Sequence, residues 1–241
     1  MQVSDLAETK IIQDETENRP VIIVAVIPAY NEELTIGSVL LLTAKYVDQC
    51  IVVDDGSSDR TAEISRAAGA TVIVLPENRG KAYALFKGLD AAPVFSPDIV
   101  VLMDADGQND PAEIPTLVAP IIRKEAELVI GSRFLGTASD IPAYRKIGQK
   151  TLNYATNMHS EYAGTDSQSG FRALSKRALN HFDFASEGYN IESDMISHFM
   201  QKGLVIVEVP VSVRYDVPNK HKKNPLTHGY DVMANLIGEI G

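Results

Sequence analysis

Three aspartates directly follow one of the most apolar runs in the chain. The run Ile99–Met103 predicts a strand buried on both faces, and Asp104, Asp106 and Asp110 come immediately after it. An unpaired charge is costly to bury, so carboxylates at the end of a core strand indicate a positively charged partner. Two carboxylates and the amide oxygen of Gln108 are hard oxygen ligands suited to Mg²⁺ or Mn²⁺, which keep positions for water and phosphate. The pattern therefore predicts a metal–diphosphate site.

A structural role is the alternative for these aspartates, because a helix is predicted to begin at Pro111 and needs an N-cap. That role suits Asp110, to which we assign it. Capping does not explain Asp104 at the strand end. Ala105 and Gly107 are small enough for the chain to turn between the two candidate ligands.

A second acidic pair, Asp54 and Asp55, follows the predicted strand Ile51–Val53. The residues after this pair add no carboxylate, so a second metal is not expected. We predict that Asp55 accepts N–H bonds from a nucleobase edge, while the ring of Tyr30 stacks on the base. An Asx turn at Asp55 is the structural alternative, and both roles are compatible.

The elements that position these residues alternate between short β-branched runs and longer amphipathic ones. The predicted strands of the first half are Val21–Ile27, Ile51–Val53, Thr71–Leu75, Ile99–Met103 and Leu128–Ile130. The predicted helices are Glu33–Tyr46, a helix capped by Ser58 that ends near Gly69, Lys81–Ala91 and one that begins at Pro111. Apolar strands separated by helices indicate an α/β fold, with a mainly parallel sheet covered on both faces.

The second half of the chain is less regular. It is predicted to contain helices at Tyr144–Met158 and Ile191–Lys202, a turn at Ser167–Gly170, and strands at Val205–Val209 and Val211–Arg214. No repeat or low-complexity linker divides it from the first half. We therefore expect one domain over residues 20–214, preceded by an acidic, flexible arm over 1–19.

Polar residues follow all four of the first predicted strands, at 28–32, 54–57, 77–81 and 104–106. Ligands of open α/β sheets bind beyond the carboxyl ends of the strands. Four polar strand ends at one sheet edge therefore predict a binding site. The dinucleotide fingerprint Gly-x-Gly-x-x-Gly is missing, and the segment around Gly80 and Lys81 lacks the first glycine and the Ser or Thr of a phosphate-binding P-loop.

The composition of the 241-residue chain, 45% hydrophobic and 22% charged, is normal for a globular domain. A net charge of −10, from 32 acidic and 22 basic residues, argues against a nucleic-acid partner. The single cysteine, Cys50, excludes a disulfide framework. The longest apolar stretch, Val21–Ile27, is far shorter than the ~18 residues of a membrane span, and the polar first 19 residues contain no secretory signal. We expect a cytoplasmic protein, peripheral at the cytosolic face of a membrane.

Six motifs in order, "IPAYNEE", "VVDDGSSD", "NRGKAYAL", "DADGQNDP", "GSRF" and "DSQSGFRALS", resemble those of the family 2 glycosyltransferases. The branch they resemble most is that of the polyprenyl- or dolichyl-phosphate sugar synthases. The resemblance implies a GT-A type fold and an inverting transfer. The chain has no tryptophan, so it lacks the Gln-x-x-Arg-Trp motif of the processive polysaccharide synthases. Transfer of a single sugar is therefore favoured.

The resemblance also implies roles for individual residues. The donor UDP- or GDP-sugar is assigned to Pro28, Ala29, Tyr30, Glu32, Val53, Asp55, Lys81, Asp104 and Ala105. Asp104, Asp106 and Gln108 match the "DxD" segment that binds Mg²⁺ or Mn²⁺, with Asp106 as a catalytic residue, and Arg133 matches an arginine near the phosphates. The side chain of Asp55 suits uracil and guanine equally, so the nucleobase stays open.

A basic loop follows the last predicted strand. From Arg214 to residue 230 the chain has four basic residues (Arg214, Lys220, Lys222, Lys223) and one acidic residue, a local charge of +3. The loop is either merely solvated or closes over a diphosphate, an anionic acceptor or a membrane surface, and we favour the second interpretation. An amphipathic helix is predicted to follow, so residues 215–241 form a basic loop and a C-terminal helix.

The acceptor determines whether a general base is needed. The phosphate of a polyprenyl or dolichyl lipid is already an anionic nucleophile, so positioning and charge neutralisation suffice. A hydroxyl acceptor needs a carboxylate to take its proton, and Glu192, Asp194 and Asp166 are the candidates. A sugar nucleotidyltransferase and a non-catalytic nucleotide-sugar-binding module are the remaining alternatives. The first usually opens with a Gly-rich loop, which is absent, and the second would lose the metal ligands, which are present.

Overall fold

A computed structural model describes residues 13–14, 19–135, 164–183 and 191–214 of the chain. Its central sheet consists of β1 (Ile23–Ala29), β2 (Gln49–Asp54), β3 (Thr71–Val74), β4 (Ile99–Leu102), β5 (Leu128–Ser132), β6 (Arg172–Ser175) and β7 (Ile206–Pro210). The α-helices are α1 (Ile36–Thr43), α2 (Thr61–Ala67), α3 (Lys81–Ala91), α4 (Ile114–Ile122), α5 (Lys176–Leu179) and α6 (Ile191–Gln201). Within these described ranges, short 3₁₀ helices occur at Ala92–Phe95 and Pro111–Glu113.

The seven strands lie in the order β3-β2-β1-β4-β6-β5-β7. Strands β1 to β4 are mutually parallel where they pair, and β7 is parallel to β5. Strand β6 is antiparallel to both of its neighbours, β4 and β5. The predicted α/β architecture with a mainly parallel sheet is confirmed, and β6 is the strand that sequence analysis missed.

Both faces of the sheet are covered, which explains the unbroken apolar strands. In β1, Ile23, Ala25 and Ile27 belong to the core that packs on α1 and α4. The alternate residues Val24 and Val26 belong to the core that packs on α3 and α6. Because successive side chains point to opposite faces of a strand, each strand contributes to both cores.

Most predicted strands of the first half shift by only one to three residues, but two helix predictions were too long or wrongly capped. The predicted helix Glu33–Tyr46 shortens to α1, and Ser58 does not cap α2. The backbone N–H of Thr61, where α2 begins, instead donates to the carboxylate of Asp59 at 2.9 Å. Asp59 therefore accepts a hydrogen bond at the start of the helix, a capping role that was predicted for Ser58, one residue earlier.

Of the two strands predicted near the end of the described chain, only the first forms, as β7. After Pro210, the Val211 amide donates to the Ser132 carbonyl at 3.0 Å, and the chain leaves the edge of the sheet. Val213 then forms only an isolated antiparallel bridge with Asn109. The second predicted strand is therefore replaced by a segment that lies against the loop after β4.

Arg19, which precedes the first strand of the central sheet, forms an ion pair with Asp98. Gln13–Asp14 pairs antiparallel with Arg19–Pro20, and the guanidinium of Arg19 donates to both oxygens of Asp98 at 2.7 Å. The flexibility predicted for residues 1–19 stays a prediction.

Several predicted features lie outside the described residues. They are the helix Tyr144–Met158, the lysines Lys220, Lys222 and Lys223, and the C-terminal amphipathic helix. Within the part of the chain that the structure describes, no helix is both long and apolar enough to cross a membrane.

Candidate active site

The loops that follow β1 and β2 are joined by side-chain hydrogen bonds. Asn31 has a left-handed backbone, with φ of 56°, and its backbone N–H donates to the Ser57 hydroxyl at 2.9 Å. The amide of Glu32 donates to the Thr61 hydroxyl at 2.8 Å. These contacts hold the first predicted donor segment against the second. The Tyr30 side chain is exposed, and its stacking on a base stays a prediction.

The assigned donor residues within the strands are adjacent in the sheet. Pro28 and Ala29 end β1, and in the parallel register Pro28 lies opposite Val53 of β2. Ala105 follows β4 and is buried. These residues are small or apolar, so they supply backbone and packing at the sheet edge, not polar side chains.

Asp55 is a buried carboxylate bound to the loop before α3. It is 3% exposed, and its two oxygens accept hydrogen bonds from the amides of Arg79 and Gly80, each at 2.8 Å. The Asp55 oxygens are thus bound to a distant loop, and it is Asp54 that makes the local contact, by accepting from the Ser57 amide at 3.0 Å. Asp55 thus fixes the backbone from which α3 starts, and its contact with a nucleobase stays a prediction.

The loop after β4 turns as the sequence predicted. Gly107 adopts a φ of 77°, and Asp106 accepts from the Gln108 amide at 2.9 Å. Asp110 accepts from the Ala112 amide at 2.9 Å, so its predicted capping role is confirmed. The turn separates the aspartate that starts the next helix from the two that were predicted to bind metal.

Lys81 lies at the centre of the site. Its ammonium is 2.7 Å from Asp104 Oδ1 and 3.0 Å from Glu192 Oε1. Gly170 is so close to this pair that a Cβ atom there would lie 2.8 Å from Lys81 Nζ and 3.0 Å from Asp104 Oδ2. Four segments therefore meet at Lys81: the start of α3, the end of β4, the turn Ser167–Gly170 (the Ser/Gly turn) and the start of α6.

The carboxylates around Lys81 outnumber its single charge. Burial, together with the charges of Asp104 and Glu32, raises the pKa of Asp106 to about 6. Burial also raises the pKa of Glu32, to which Asp104 adds. Burial alone would lower the pKa of Lys81, but Asp104 and Glu192 outweigh it and raise that pKa above its usual range. Such an excess of negative charge favours the binding of further cations.

The donor atoms at this edge fit a divalent ion that is shared with a diphosphate. Among the described residues, no group of three or more His, Cys, Asp or Glu side chains is arranged to hold a metal alone. Asp104 and Asp106 contribute two carboxylates, which matches the usual Mg²⁺ arrangement of one or two protein carboxylates plus water and phosphate oxygens. The predicted third ligand, the Gln108 side chain, stays a prediction.

Arg133 and Asp166 form a bidentate pair beyond β5. The guanidinium donates from Nε and Nη2 to the two oxygens of Asp166, both at 2.6 Å. Asp166 is fully buried, whereas the Arg133 side chain is 20% exposed. Asp166 is therefore held by an arginine, while the approach of Arg133 to a phosphate stays a prediction.

Arg214 lies directly beside the loop after β4, which contains Asp104, Asp106 and Gln108. Its amide donates to the Gln108 carbonyl at 2.9 Å, next to the bridge between Val213 and Asn109. The structure thus brings the first residue of the predicted basic loop to the predicted metal segment.

Sequence analysis missed Arg172, although its motif was noted. The side chain is 1% exposed and donates to the carbonyls of Ser167, Ser169 and Glu192, each at 2.7 Å. It joins the Ser/Gly turn to the first turn of α6, which carries Glu192. The signal for this role was an arginine between the apolar residues Phe171 and Ala173.

Comparison with known proteins decides the family. The model of the family described as "Glycosyl transferase family 2" matches residues 24–182. The chain belongs to this family. It is accordingly a glycosyltransferase, not a sugar nucleotidyltransferase.

Relatives of this family 2 glycosyltransferase include enzymes named for lipid-phosphate acceptors. UDP-N-acetylglucosamine–dolichyl-phosphate N-acetylglucosaminyltransferase of Methanococcus voltae is 32% identical over 239 residues, covering 90% of this chain and 95% of the relative. Polyprenol monophosphomannose synthase of Mycolicibacterium smegmatis is 30% identical over 203 residues, covering 78% of this chain and 75% of the relative.

A solved structure supports the fold. Glucosyl-3-phosphoglycerate synthase from Mycobacterium tuberculosis, in complex with Mn²⁺, UDP-glucose and phosphoglyceric acid, has a TM-score of 0.69 and 29% identity. The match covers 90% of this chain and 79% of that chain. The GT-A type fold predicted from the sequence is confirmed.

Proposed function

We propose that this glycosyltransferase moves one sugar from a UDP- or GDP-sugar to the phosphate of a polyprenyl or dolichyl lipid, with inversion at the sugar. The observation that carries the proposal is the Lys81 contact with Asp104 and Glu192, at the carboxyl edge of the sheet where the donor motifs meet. An ammonium among several carboxylates suits a donor that brings both a diphosphate and a divalent ion.

Catalysis in this proposal consists of positioning and charge neutralisation. Asp104 and Asp106, with the Gln108 amide oxygen, would hold Mg²⁺ or Mn²⁺, which when bound stabilises the negative charge of the leaving diphosphate. Lys81, Arg133 and Arg214 donate hydrogen bonds to the phosphates. Tyr30 stacks on the base that Asp55 recognises, and Pro28, Ala29, Glu32, Val53 and Ala105 complete the donor pocket.

The names of two relatives support a lipid-phosphate acceptor. Its phosphate oxygen attacks the anomeric carbon as an anion, so no general base is required. Lys220, Lys222 and Lys223 supply positive charge for the acceptor headgroup and for anionic lipids at the cytosolic membrane face, where the enzyme acts as a peripheral protein.

A hydroxyl acceptor is the second candidate, because a structural neighbour is named glucosyl-3-phosphoglycerate synthase and was solved with phosphoglyceric acid. In that case Glu192 or Asp194 would take the hydroxyl proton. The activity of two variants separates the candidates. Loss of transfer in Asp104→Ala with retention in Glu192→Gln supports the phosphate acceptor, and loss in both contradicts it.

Calorimetric titration with UDP and with GDP, each with and without Mn²⁺, tests the donor site. We expect one nucleotide to bind in a metal-dependent manner, and we expect Asp106→Ala to weaken that binding at least tenfold, since a charge-assisted contact contributes about 1.5–3 kcal/mol. Asp110→Ala is the matched control, because it removes a carboxylate of the same loop that only caps the next helix. Folded protein that binds neither nucleotide would contradict the proposal.

A further inference from the structure

We propose that Lys81 is an internal counter-cation of the donor site, which competes with the divalent ion for Asp104 and moves to the diphosphate when the donor binds. This inference rests on the proposed function and deepens it. It assigns Lys81 two successive partners, the metal-binding carboxylate and the diphosphate. Loss of the Lys81 charge should therefore raise the affinity for the metal alone and lower the affinity for the nucleotide alone.

The competition follows from the contacts of the ammonium. Lys81 Nζ is 2.7 Å from Asp104 Oδ1 and 3.0 Å from Glu192 Oε1, so it neutralises a carboxylate that the metal needs. A divalent ion on Asp104 would lie within a few ångströms of this ammonium. Two cations at that separation repel each other even in a high-dielectric environment. The lysine therefore weakens metal binding until an anion arrives to hold both cations.

The ammonium is able to move while its helix stays in place. The backbone before Lys81 is held by Asp55, which binds the amides of Arg79 and Gly80 at 2.8 Å. The charge itself is at the end of a flexible four-carbon chain, and the side chain is 38% exposed. A change of rotamer is thus enough to transfer the ammonium from the carboxylates to a phosphate.

Gly170 makes the close pair possible and offers a way to disturb it. A Cβ atom at this position would lie 2.8 Å from Lys81 Nζ and 3.0 Å from Asp104 Oδ2, both at the ends of side chains. The Gly170→Ala change therefore pushes the ammonium and the Asp104 carboxylate apart but leaves both charges in the protein. It separates the position of the charge from its presence.

The test is calorimetric titration of the full chain with Mn²⁺ alone and with UDP or GDP alone. In Lys81→Met we expect Mn²⁺ to bind about tenfold more tightly and the nucleotide about tenfold more weakly, because removal of one positive charge acts oppositely on a cation and an anion. Lys87→Met is the matched control on the same helix, since Lys87 pairs only loosely with Asp90, at 3.8 Å. It should change neither affinity.

Gly170→Ala distinguishes competition from a general loss of charge. We expect Mn²⁺ to bind more tightly than to the wild type, while nucleotide affinity stays within about threefold, because the ammonium is retained and only its position changes. Unchanged or weaker Mn²⁺ binding in the folded Lys81→Met variant would overturn the inference, and Lys81→Gln takes its place if Lys81→Met does not fold. Thermal unfolding shows whether each variant folds.

The two proposals fail in different ways. If the wild type binds neither UDP nor GDP, with or without Mn²⁺, the proposed function is wrong. If the wild type binds one nucleotide with Mn²⁺ and this binding is lost in Asp106→Ala, but Mn²⁺ alone is insensitive to Lys81→Met and Gly170→Ala, only the role of Lys81 is wrong.

Discussion

Single buried residues at the site join several segments of the chain. Arg172 is the clearest case, because its guanidinium is 1% exposed and binds the carbonyls of two turn residues and of Glu192. A buried polar group that loses its partner has a large free-energy cost. Arg172 therefore stabilises both the domain and the position of Glu192.

Replacement of Arg172 by Met tests that role. We expect the free energy of unfolding to fall by about 3 kcal/mol, because three buried carbonyls lose their donor at once. Urea unfolding followed by circular dichroism measures the change. Arg177→Met is the control, since Arg177 is 60% exposed in its pair with Glu127 and such surface pairs contribute about 1 kcal/mol or less. Equal losses in the two variants would contradict a special role for Arg172.

At the residue scale, the sequence predicts local roles better than distant ones. The Asp110 cap was predicted because its partner amide is two residues away. The partners of Asp55 are the amides of Arg79 and Gly80, 24 and 25 residues away, and no local pattern specifies them. The contact of Lys81 with Glu192 was also not predicted, because it depends on how α3 and α6 pack on the sheet.

At the scale of elements, the strands were easier to predict than their order. The apolar runs located β1 to β5 within a few residues. In β1, β2, β4 and β5, burial on both faces leaves a continuous apolar signal. Strand β6 was missed, since its four residues begin with the charged Arg172. Its antiparallel place between β4 and β5 is set by tertiary pairing, which periodicity does not encode.

The packing of α3 on β1 positions Lys81, and Gly88 allows the close approach. A Cβ atom at Gly88 would clash with Val26 Cγ1 and lie 3.2 Å from Val53 Cγ2. We expect Gly88→Ala to lower the free energy of unfolding by about 1–3 kcal/mol through overpacking, despite the better helix propensity of Ala. Urea unfolding measures the loss.

A double mutant tests the cause of that loss. Val26→Ala removes the side chain that the new methyl group would meet, so Gly88→Ala should cost less in its presence. We expect a favourable coupling of at least about 0.5 kcal/mol between the two positions, as is usual for residues in contact. Strict additivity would show that the contact with Val26 is not the source of the loss.

At the scale of the whole molecule, position in the topology separates the aspartates predicted to bind metal from Asp48 and Asp98. Asp104 and Asp106 lie at the carboxyl edge of the sheet, where ligands of α/β proteins bind. Asp48 and Asp98 lie at the opposite edge and accept hydrogen bonds from the amides of Ile23 and Ile22, each at 2.9 Å. Composition alone does not distinguish the two groups, since both lie beside apolar strands.

The Arg19–Asp98 contact makes part of the global stability dependent on pH. Hydrogen bonds from the Arg19 guanidinium hold the pKa of Asp98 below its ordinary value of 3.8. A carboxyl with a lowered pKa in the folded state stabilises the protein above its unfolded pKa, and this contribution is lost as the pH falls through the folded value. Asp98→Asn should therefore cost stability at neutral pH and progressively less below about pH 4.

The expected loss at neutral pH is about 1 kcal/mol, because the Arg19 side chain is partly exposed and solvent screens the pair. Urea unfolding of the wild type and Asp98→Asn, between about pH 7 and pH 3, measures the difference as a function of pH. Asp90→Asn serves as the control, since Asp90 is 71% exposed in its pair with Lys87 and should leave stability nearly unchanged. A difference for Asp98→Asn that stays constant down to the lowest pH would mean that its cost is one of packing, not of charge.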